Sequence, residues 1–362
     1  GGDTLKIGVL HATSGLLAVL GDASDKTVKL IREQAASGKF DIGPGRKVEI
    51  KQYDTEGNAT KAAQLFKRLI DNDEVDVVMG PNTSGETLPL MPTADEAKIP
   101  LVAYGAVEAI TKPVKKYVFS MTPIDRVVIQ DLLTGMKSRN VKRPALIYSL
   151  DGFGQSGAVF FNELVKDFGM ELASVQTFAP QDTNMQPQLI KMREAKPDAY
   201  LLWSSANPAP TIILRTAKEL GIKETFYVGH GNASLPFLKQ TGPAGEGAVA
   251  PAFPILAPEV LSDSDPRKPI VTAFQKDYIA RWNEPADHSA GYALDALLVI
   301  QAAAKSVKGP LTRDNIRDAI EGLNGQCGAV ACRVMSPTDH RGMEKNVMLL
   351  LQIKDGKWSK FE

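Results

Sequence analysis

The stretch Leu5-Lys-Ile-Gly-Val-Leu10 is a short apolar run that ends at the turn Thr13-Ser14-Gly15, and a helical pattern from Asp22 to Ala36 follows it. An apolar run bounded by turn residues predicts a strand that is covered on both faces of its sheet. The alternation then continues, with predicted strands at 47–53, 75–79 and 100–104 and predicted helices at 59–72 and 88–97. Strands that alternate with helices indicate crossover units and a parallel sheet with helices on both faces.

The same alternation of predicted strands and helices repeats in the second part of the chain. Asp54-Thr55 and Asp182-Thr183 each precede a predicted helix and a buried strand, at nearly equal spacing. The repeat comprises predicted strands at 144–149, 170–178, 198–203 and 225–228 and helices at 156–168, 185–195 and 210–220. Further helices are expected at 270–282, 286–305 and 312–321, and a closing hairpin with its turn at 354–357. We therefore predict two similar α/β lobes.

Composition excludes several classes of protein. The chain has 362 residues, of which 42 are basic and 42 acidic, so its formal net charge is zero, and 43% of its residues are hydrophobic. This composition is typical of a globular protein and unlike that of a disordered one. A neutral chain has no general attraction to nucleic acid, so we predict no nucleic-acid partner. The length favours two domains.

No segment of the sequence predicts a membrane helix, because the most apolar one, Tyr292 to Ala304, contains Asp295 and is shorter than a bilayer requires. The sequence does not begin with Met, and Gly1-Gly2 is typical of processing. We therefore expect a mature chain whose leader has been removed.

The two cysteines, Cys327 and Cys332, are close enough in sequence to form a small disulfide loop in an oxidising compartment. The alternative is two unpaired buried thiols. No further Cys or His lies nearby to complete four metal ligands, so we predict no metal site.

Two glycine-rich stretches resemble nucleotide-binding motifs, but each lacks a required residue. Gly152-Phe-Gly-Gln-Ser-Gly157 fits G-x-G-x-x-G, yet the next strand ends at Phe178-Ala-Pro180 without the acidic residue that holds a ribose. Gly80-Pro-Asn-Thr-Ser-Gly-Glu-Thr87 nearly fits a phosphate-binding loop, but Glu86 replaces its essential lysine. We predict no cofactor. What remains is a loop whose hydroxyl and N–H groups suit a carboxylate.

Nothing in the sequence assembles a nucleophile, a base and an oxyanion hole, so we predict a protein that is not an enzyme. His11 and His230 are the two histidines that follow the carboxyl ends of predicted parallel strands. Ligands of open α/β sheets bind outside these ends, so both histidines are candidates for a ligand site.

A set of short segments recurs along nearly the whole chain in a characteristic order and spacing: Ile7-Gly-Val9, Ser14-Gly15, Gly21-Asp22, Asp54-Thr55, Gly80, Thr83-Ser84, Pro100-Leu-Val-Ala-Tyr-Gly-Ala106, Phe153-Gly154 and Gly231-Asn-Ala-Ser-Leu235. In this order and spacing, the chain resembles the periplasmic solute-binding proteins of the branched-chain amino acid (Leu/Ile/Val-binding) family, which serve ABC importers.

The resemblance implies a type I periplasmic binding protein fold. This is an α/β fold of two Rossmann-like lobes with parallel sheets, joined by a three-segment hinge that closes on a ligand in the interlobe cleft. Lobe 1 would comprise residues 3–121 and 253–335, and lobe 2 residues 124–250 and 338–362. The hinge would lie near 121–124, 250–253 and 335–338. The resemblance also implies a periplasmic monomer whose partners are a small-molecule ligand and a membrane permease.

Carried over by position, the resemblance implies that the Ser84 hydroxyl and the backbone at Gly105-Ala106 hold a ligand carboxylate. Thr83 is a further candidate, because its hydroxyl belongs to the same loop after the third predicted strand. Phe153 matches an aromatic position of the second lobe, and Ser205 or Ala206 lies near another. Leu20 replaces an aromatic residue of the first loop. Other candidates for the ligand site are Tyr104 and His230, followed by His11, Asn82, Glu108, Trp203 and Asn207.

Two departures from the family pattern affect the expected ligand. Gly229-His-Gly231 has no acid where amino-acid binders place one for the ligand ammonium, and Val107 replaces a typical threonine. An unpaired buried ammonium is costly. Histidine instead suits a carboxylate, keto or phenol group, while Tyr104, Phe153 and Trp203 would supply flat apolar walls. We therefore predict an aromatic carboxylate without an amino group.

Three alternatives stay open. Glu108 lies one residue from the expected region and would restore binding of a branched-chain or other amino acid. A ligand-sensing regulatory protein on the same fold is the second alternative, and an enzyme is the third, because fold alone does not decide function.

Overall fold

The computed structural model describes residues 4–15, 17–204, 208–343 and 346–362. The chain forms two compact units, each built around its own sheet. Unit 1 consists of Gly1–Ile124 and Leu261–Met343, and unit 2 consists of Asp125–Val260 and Glu344–Glu362. Each unit is an α/β structure with parallel strands, as the alternation of elements predicted.

The helices and strands follow one another in four segments. The first segment of unit 1 holds β1 (Thr4–His11), α1 (Ala18–Ala36), β2 (Lys47–Asp54), α2 (Ala59–Asp71), β3 (Val77–Met79), α3 (Ser84–Thr87), α4 (Met91–Ala97), β4 (Leu101–Ala103) and β5 (Val118–Ser120). The first segment of unit 2 holds α5 (Asp125–Ser138), β6 (Pro144–Ser149), α6 (Gly152–Leu164), β7 (Ser174–Phe178), α7 (Gln186–Glu194), β8 (Ala199–Trp203), α8 (Ala209–Glu219), β9 (Phe226–Val228), α9 (Leu235–Thr241) and β10 (Val249–Ala252). Unit 1 then resumes with α10 (Arg267–Trp282), α11 (His288–Ser306), α12 (Arg313–Glu321), β11 (Asn324–Cys327) and β12 (Cys332–Val334). Unit 2 ends with β13 (Leu349–Lys354) and β14 (Lys357–Lys360).

The sheet of unit 1 has the strand order β2-β1-β3-β4-β5, and its strands are parallel. In β1, Ile7 lies beside Ile50 of β2 and Val77 of β3, and it is fully buried. Apolar residues on both faces fit a sheet covered by helices on either side. The carboxyl ends of β1, β3 and β4 therefore meet at one edge, where their loops carry the polar residues of interest.

The sheet of unit 2 has the order β14-β13-β10-β9-β8-β6-β7. Its strands from β10 to β7 are parallel, and the hairpin of β13 and β14 adds two antiparallel strands beyond β10. The predicted closing hairpin therefore extends the second sheet. A small antiparallel pair in unit 1, β11 and β12, carries the disulfide that joins Cys327 to Cys332.

Helix α1 begins at Ala18, four residues earlier than the sequence pattern predicted. Gly21 lies inside its first turns, and a Cβ atom there would lie 1.7 Å from the Ala12 carbonyl oxygen. The glycine therefore serves close packing against the β1–α1 loop and does not mark a helix start. In the sequence, a glycine before Asp22 resembles a residue at a helix boundary, so the start of the helix was predicted too late.

The two units divide after Ile124, Val260 and Met343. Packing accounts for the second and third of these divisions. Ala257 lies in the core of unit 2, with Leu256 and Val260 packed against it. His340 belongs with unit 1, because its ring stacks on Phe119 with centroids 4.1 Å apart.

Among the described residues, no helix combines the length and apolarity needed to cross a bilayer.

Candidate functional site

The loop after β3 carries Asn82, Thr83 and Ser84, and the structure assigns a different task to each. Asn82 Oδ1 accepts from the Ala12 N–H at 2.8 Å, and its Nδ2 donates to Ser24 Oγ at 3.0 Å, so Asn82 joins the loops after β1 and β3. Thr83 is the N-cap of α3. Ser84 is half-buried at the first position of that helix.

Glu86, which replaces the lysine of a phosphate-binding loop, is a structural residue. Its side chain is buried and accepts hydrogen bonds from the hydroxyls of Thr55 and Thr83. Thr83 Oγ1 also accepts from the Glu86 N–H at 3.3 Å, which completes a reciprocal cap of the helix N-terminus. Thr83 is thus committed to its own loop.

Ser84 touches the segment Gly105–Val107, which follows β4. Ser84 Oγ accepts from the Val107 N–H at 3.1 Å, which leaves the hydroxyl proton to be donated elsewhere. A Cβ atom at Gly105 would lie 2.3 Å from Ile110 Cδ1 and 3.0 Å from Ser84 Oγ, so the approach requires glycine. Ala106 is exposed. The structure therefore brings the predicted residues Ser84, Gly105 and Ala106 together; we call them, with Val107, the unit 1 loop cluster.

His11 and Tyr104 form an enclosed pair. His11 Nε2 and the Tyr104 hydroxyl lie 2.8 Å apart and share a hydrogen bond, and both side chains are buried, Tyr104 with 2% exposure. The Tyr104 hydroxyl is therefore engaged by His11, and its ring lies in the interior.

Burial lowers the pKa of His11 to about 4, against the opposing charge of Asp25. The unfolded chain binds a proton on this histidine near pH 6.5, so folding stability is lost as the pH falls from there towards 4. Between about pH 7 and pH 4 the wild type is expected to lose roughly 3 kcal/mol through this group. His11→Gln keeps a hydrogen-bonding side chain without the titration, so urea unfolding at both pH values should show a smaller loss by that amount. Equal losses in the two proteins would contradict the assignment.

Leu20 and Glu108 lie outside the contacts of the loop cluster described above. Leu20 is the third residue of α1 and is half-buried. Glu108 follows Val107, begins a short 3-10 turn and pairs with Lys112, with 3.4 Å between Oε1 and Nζ. Both side chains of this pair are more than a third exposed, so the ion pair is weak.

In unit 2, four rings gather at the carboxyl ends of the strands: Phe153, Trp203, His230 and Phe253, which we call the unit 2 aromatic cluster. Phe153 stacks on Trp203 with centroids 5.2 Å apart and an interplanar angle of 4°. The His230 ring lies 5.9 Å from Phe153 and 5.8 Å from Trp203, and Phe253 meets His230 edge-on at 6.4 Å. The structure thus brings together three predicted residues and adds Phe253.

The glycine-rich motif before α6 explains how this cluster is built. Asp151 caps the helix by accepting from the Gly154 N–H at 2.8 Å. A Cβ atom at Gly154 would lie 1.9 Å from the Ser149 carbonyl oxygen, and one at Gly157 would lie 2.1 Å from the Trp203 indole nitrogen. The motif therefore allows the helix to pack closely on β6 and on the indole, in place of the pyrophosphate of a dinucleotide.

The layers of the cluster differ in exposure. Trp203 is 1% exposed and forms the floor, whereas Phe153 and His230 are half-buried above it. His230 begins the 3-10 turn that follows β9, and Phe253 follows β10. Ser205, Ala206 and Asn207, which were also candidates, lie outside the described residues.

Phe253 is the member that sequence reasoning did not select. It stands in Ala250-Pro-Ala-Phe253, which was interpreted only as a hinge segment. A signal was available, because β10 runs parallel to β9 and its carboxyl end must lie near His230.

The acids that flank these residues already have partners. Asp151 accepts from Ser149 Oγ at 2.9 Å in addition to its capping bond, and Asp54 accepts from the Thr13 N–H at 2.9 Å. In the described part of the chain, no three His, Cys, Asp or Glu side chains gather in a way that could hold a metal ion.

In unit 1, the loops at the strand ends offer hydroxyl and N–H groups that suit an anion. In unit 2, the strand ends carry an aromatic cluster. Such groups at the carboxyl ends of parallel strands are typical of a ligand-binding protein. A family model described as periplasmic binding protein matches residues 4–357. The chain belongs to this family, whose members bind substrates for ABC transporters and are not enzymes.

Individual relatives agree with this assignment. The Leu/Ile/Val-binding protein homolog 7 of Brucella suis biovar 1 (strain 1330) is 24% identical over 369 residues, which cover 98% of this chain and 90% of the relative. The structure of an extracellular ligand-binding receptor from Rhodopseudomonas palustris HaA2 matches with a TM-score of 0.80 and 26% identity, covering 98% of this chain and 99% of the other.

A third similar protein is the branched-chain amino acid transporter substrate binding protein of Streptococcus pneumoniae, whose structure contains isoleucine. It matches with a TM-score of 0.75 and 24% identity over 98% of each chain. At this identity the likeness establishes the fold of the present chain and leaves its ligand to be argued from its own residues.

Proposed function

We propose that this protein captures a small aromatic carboxylate without an amino group, for an ABC importer. The observation that carries the proposal is the stack of Phe153 on the buried Trp203 indole beside His230. Parallel rings backed by a buried indole offer a flat apolar surface, and aromatic ligands gain from stacking beyond the area that they bury.

Each cluster, considered by itself, bears on the charge of the ligand. The unit 1 loop cluster offers the Ser84 hydroxyl and backbone at Gly105-Ala106, which are donors to an anion. His230 supplies a further polar ring atom among the aromatic side chains. The stretch from Gly229 to Asn232 contains no acid. A ligand ammonium would thus be buried without a carboxylate, which is costly.

A second candidate is a branched-chain amino acid. It is favoured by the names of the relatives and by the isoleucine in the pneumococcal structure. The absence of an acid between Gly229 and Asn232 argues against it. Glu108 is partly exposed and pairs only weakly with Lys112, so it is the acid that this candidate would require. We also propose a periplasmic monomer, exported by a cleaved signal peptide, that delivers its ligand to a membrane permease.

The test of stacking is Phe153→Ala. We expect it to weaken binding of 3-phenylpropanoate about tenfold to hundredfold while weakening the aliphatic 4-methylpentanoate much less, because only the aromatic acid loses a stacking partner. Isothermal titration with ligand-stripped protein measures both affinities.

Phe160→Ala on the same helix is the matched control, because Phe160 is half-buried and contacts Arg126 instead of the cluster. It should leave both affinities unchanged. Equal losses for the two acids in Phe153→Ala would count against stacking on this ring.

A further inference from the structure

We infer that Arg341 is a positioning residue for the carboxylate site, which it strengthens by polarising the peptide groups of the unit 1 loop cluster. This inference rests on the proposed function in one respect: the ligand must present a carboxylate to that cluster. Arg341 lies within unit 1 and is buried. Nothing in the sequence marked it, because it stands beyond the segment interpreted as a hinge.

The Arg341 guanidinium spans the loop cluster. Nη1 donates to the Gly105 carbonyl oxygen at 3.0 Å, and Nη2 donates to the Val107 carbonyl oxygen at 2.8 Å. Nε donates to Thr111 Oγ1 at 2.7 Å, and Nη1 also donates to the Thr122 carbonyl oxygen at 2.7 Å. A planar fork with several fixed donors holds the loop in a single geometry, which a flexible ammonium cannot reproduce.

The Gly105 carbonyl oxygen receives three donors. Besides Arg341, Ser120 Oγ donates to it at 2.7 Å and Thr122 Oγ1 at 2.8 Å. The carbonyl of Gly105 and the N–H of Ala106 belong to the same peptide group. Donors that pull electron density to the oxygen make the N–H a stronger donor, because hydrogen bonds in a chain polarise one another.

Arg341 polarises a second peptide group in the same way, the one between Val107 and Glu108. The Val107 carbonyl that Arg341 holds shares its peptide group with the Glu108 N–H, while the Val107 N–H is directed to Ser84 Oγ. Arg341 therefore acts on the peptide groups on either side of the one that anchors Ser84.

The test compares a carboxylate with its uncharged amide. In Arg341→Lys, the affinity for 3-phenylpropanoate should fall about threefold to tenfold, because the loop N–H groups lose polarisation and the loop loses the fork that fixes its geometry. The affinity for 3-phenylpropanamide should change far less, because an uncharged ligand forms weaker hydrogen bonds with these groups. Thr111→Val is the matched control, because it removes one partner of the guanidinium and leaves its contacts with the carbonyls. It should change the carboxylate affinity by less than about threefold.

A second readout needs no ligand. In Arg341→Lys, the amide proton resonance of Ala106 in the ligand-free protein should move upfield, as expected for a less polarised N–H. If Arg341→Lys does not fold, the double substitution Ser120→Ala and Thr122→Val removes the other two donors to the Gly105 carbonyl. It should also lower the affinity for the carboxylate more than that for the amide, by a smaller factor.

Failure of the inference is distinguishable from failure of the proposed function. If the wild type binds leucine and not the aromatic acid, the aromatic proposal is wrong, yet Arg341→Lys should still weaken leucine through its carboxylate. Equal loss of carboxylate and amide binding, or an unmoved Ala106 resonance, would overturn the role of Arg341.

Discussion

Arg333→Met is expected to destabilise unit 1 by about 3–5 kcal/mol, since removing one member of a buried ion pair leaves the other charge uncompensated. Arg333 is 0% exposed, and its Nη2 lies 2.9 Å from Asp295 Oδ2. Asp295 also accepts hydrogen bonds from the N–H groups of Ala329 and Val330. The substitution therefore leaves a buried carboxylate without its cationic partner.

Arg333 additionally joins two parts of unit 1 that are distant in sequence. Its Nη2 donates to the Met121 carbonyl oxygen at 2.8 Å and its Nη1 to the Arg341 carbonyl oxygen at 2.9 Å. Both carbonyls would lose a buried donor in Arg333→Met, which adds the cost of unsatisfied polar groups.

Hydrogen exchange of the β4 and β5 amides measures the effect within unit 1, which matters because a chain of two units need not unfold in one step. Arg281→Met is the matched control. Arg281 and Glu33 form an ion pair in the same unit with both side chains about half exposed, and exposed pairs contribute less than about 1 kcal/mol. A loss for Arg333→Met no larger than the control's would show that the buried pair is not a determinant of stability.

The alternation of strands and helices was predictable because it depends on local patterns. The run from Leu5 to Leu10 has the composition of a doubly covered strand, and the structure places it in the interior of the first sheet. A helix was predicted at 312–321, and Thr312 is its N-cap, with a side chain that accepts from the Asn315 N–H. Each of these features is decided by neighbours in sequence.

Helix α5 was missed although its pattern was present. Val128, Ile129, Leu132 and Met136 recur at helical spacing and are all buried. The adjacent segment Met121-Thr-Pro123 was interpreted as a hinge, and no helix was predicted after it. This omission was one of interpretation, since amphipathic periodicity is a local signal.

The arrangement of the candidate site was only partly predictable. His230 was selected because residues after parallel strands collect at one edge of a sheet. Phe153 was selected because it matches an aromatic position of the resembled family. The burial of Tyr104 against His11 depends on strand order and on the pleat of β1 and β4, which are separated by β3. The hydrogen bonds that the Arg341 side chain donates join residues far apart in sequence, so only the folded chain reveals them.

The second large effect concerns the ligand ammonium. 3-Phenylpropanoate and L-phenylalanine differ only in that group, as do 4-methylpentanoate and L-leucine. A site without an acid for the ammonium should bind the member of each pair that lacks it, because a buried ammonium would remain unpaired. Ligand at about 100 times its dissociation constant stabilises the folded protein by about 2.7 kcal/mol, which raises the melting temperature by several degrees.

A thermal-shift measurement on ligand-stripped protein with these matched pairs is the most direct test of the account. We predict that 3-phenylpropanoate raises the melting temperature while L-phenylalanine and L-leucine do not. A rise with 4-methylpentanoate alone would still support a site that lacks a partner for a ligand ammonium, but it would refute the specificity for aromatic acids. A rise with L-leucine but not with 4-methylpentanoate would contradict the central claim, because it would require an acid that meets the ligand ammonium.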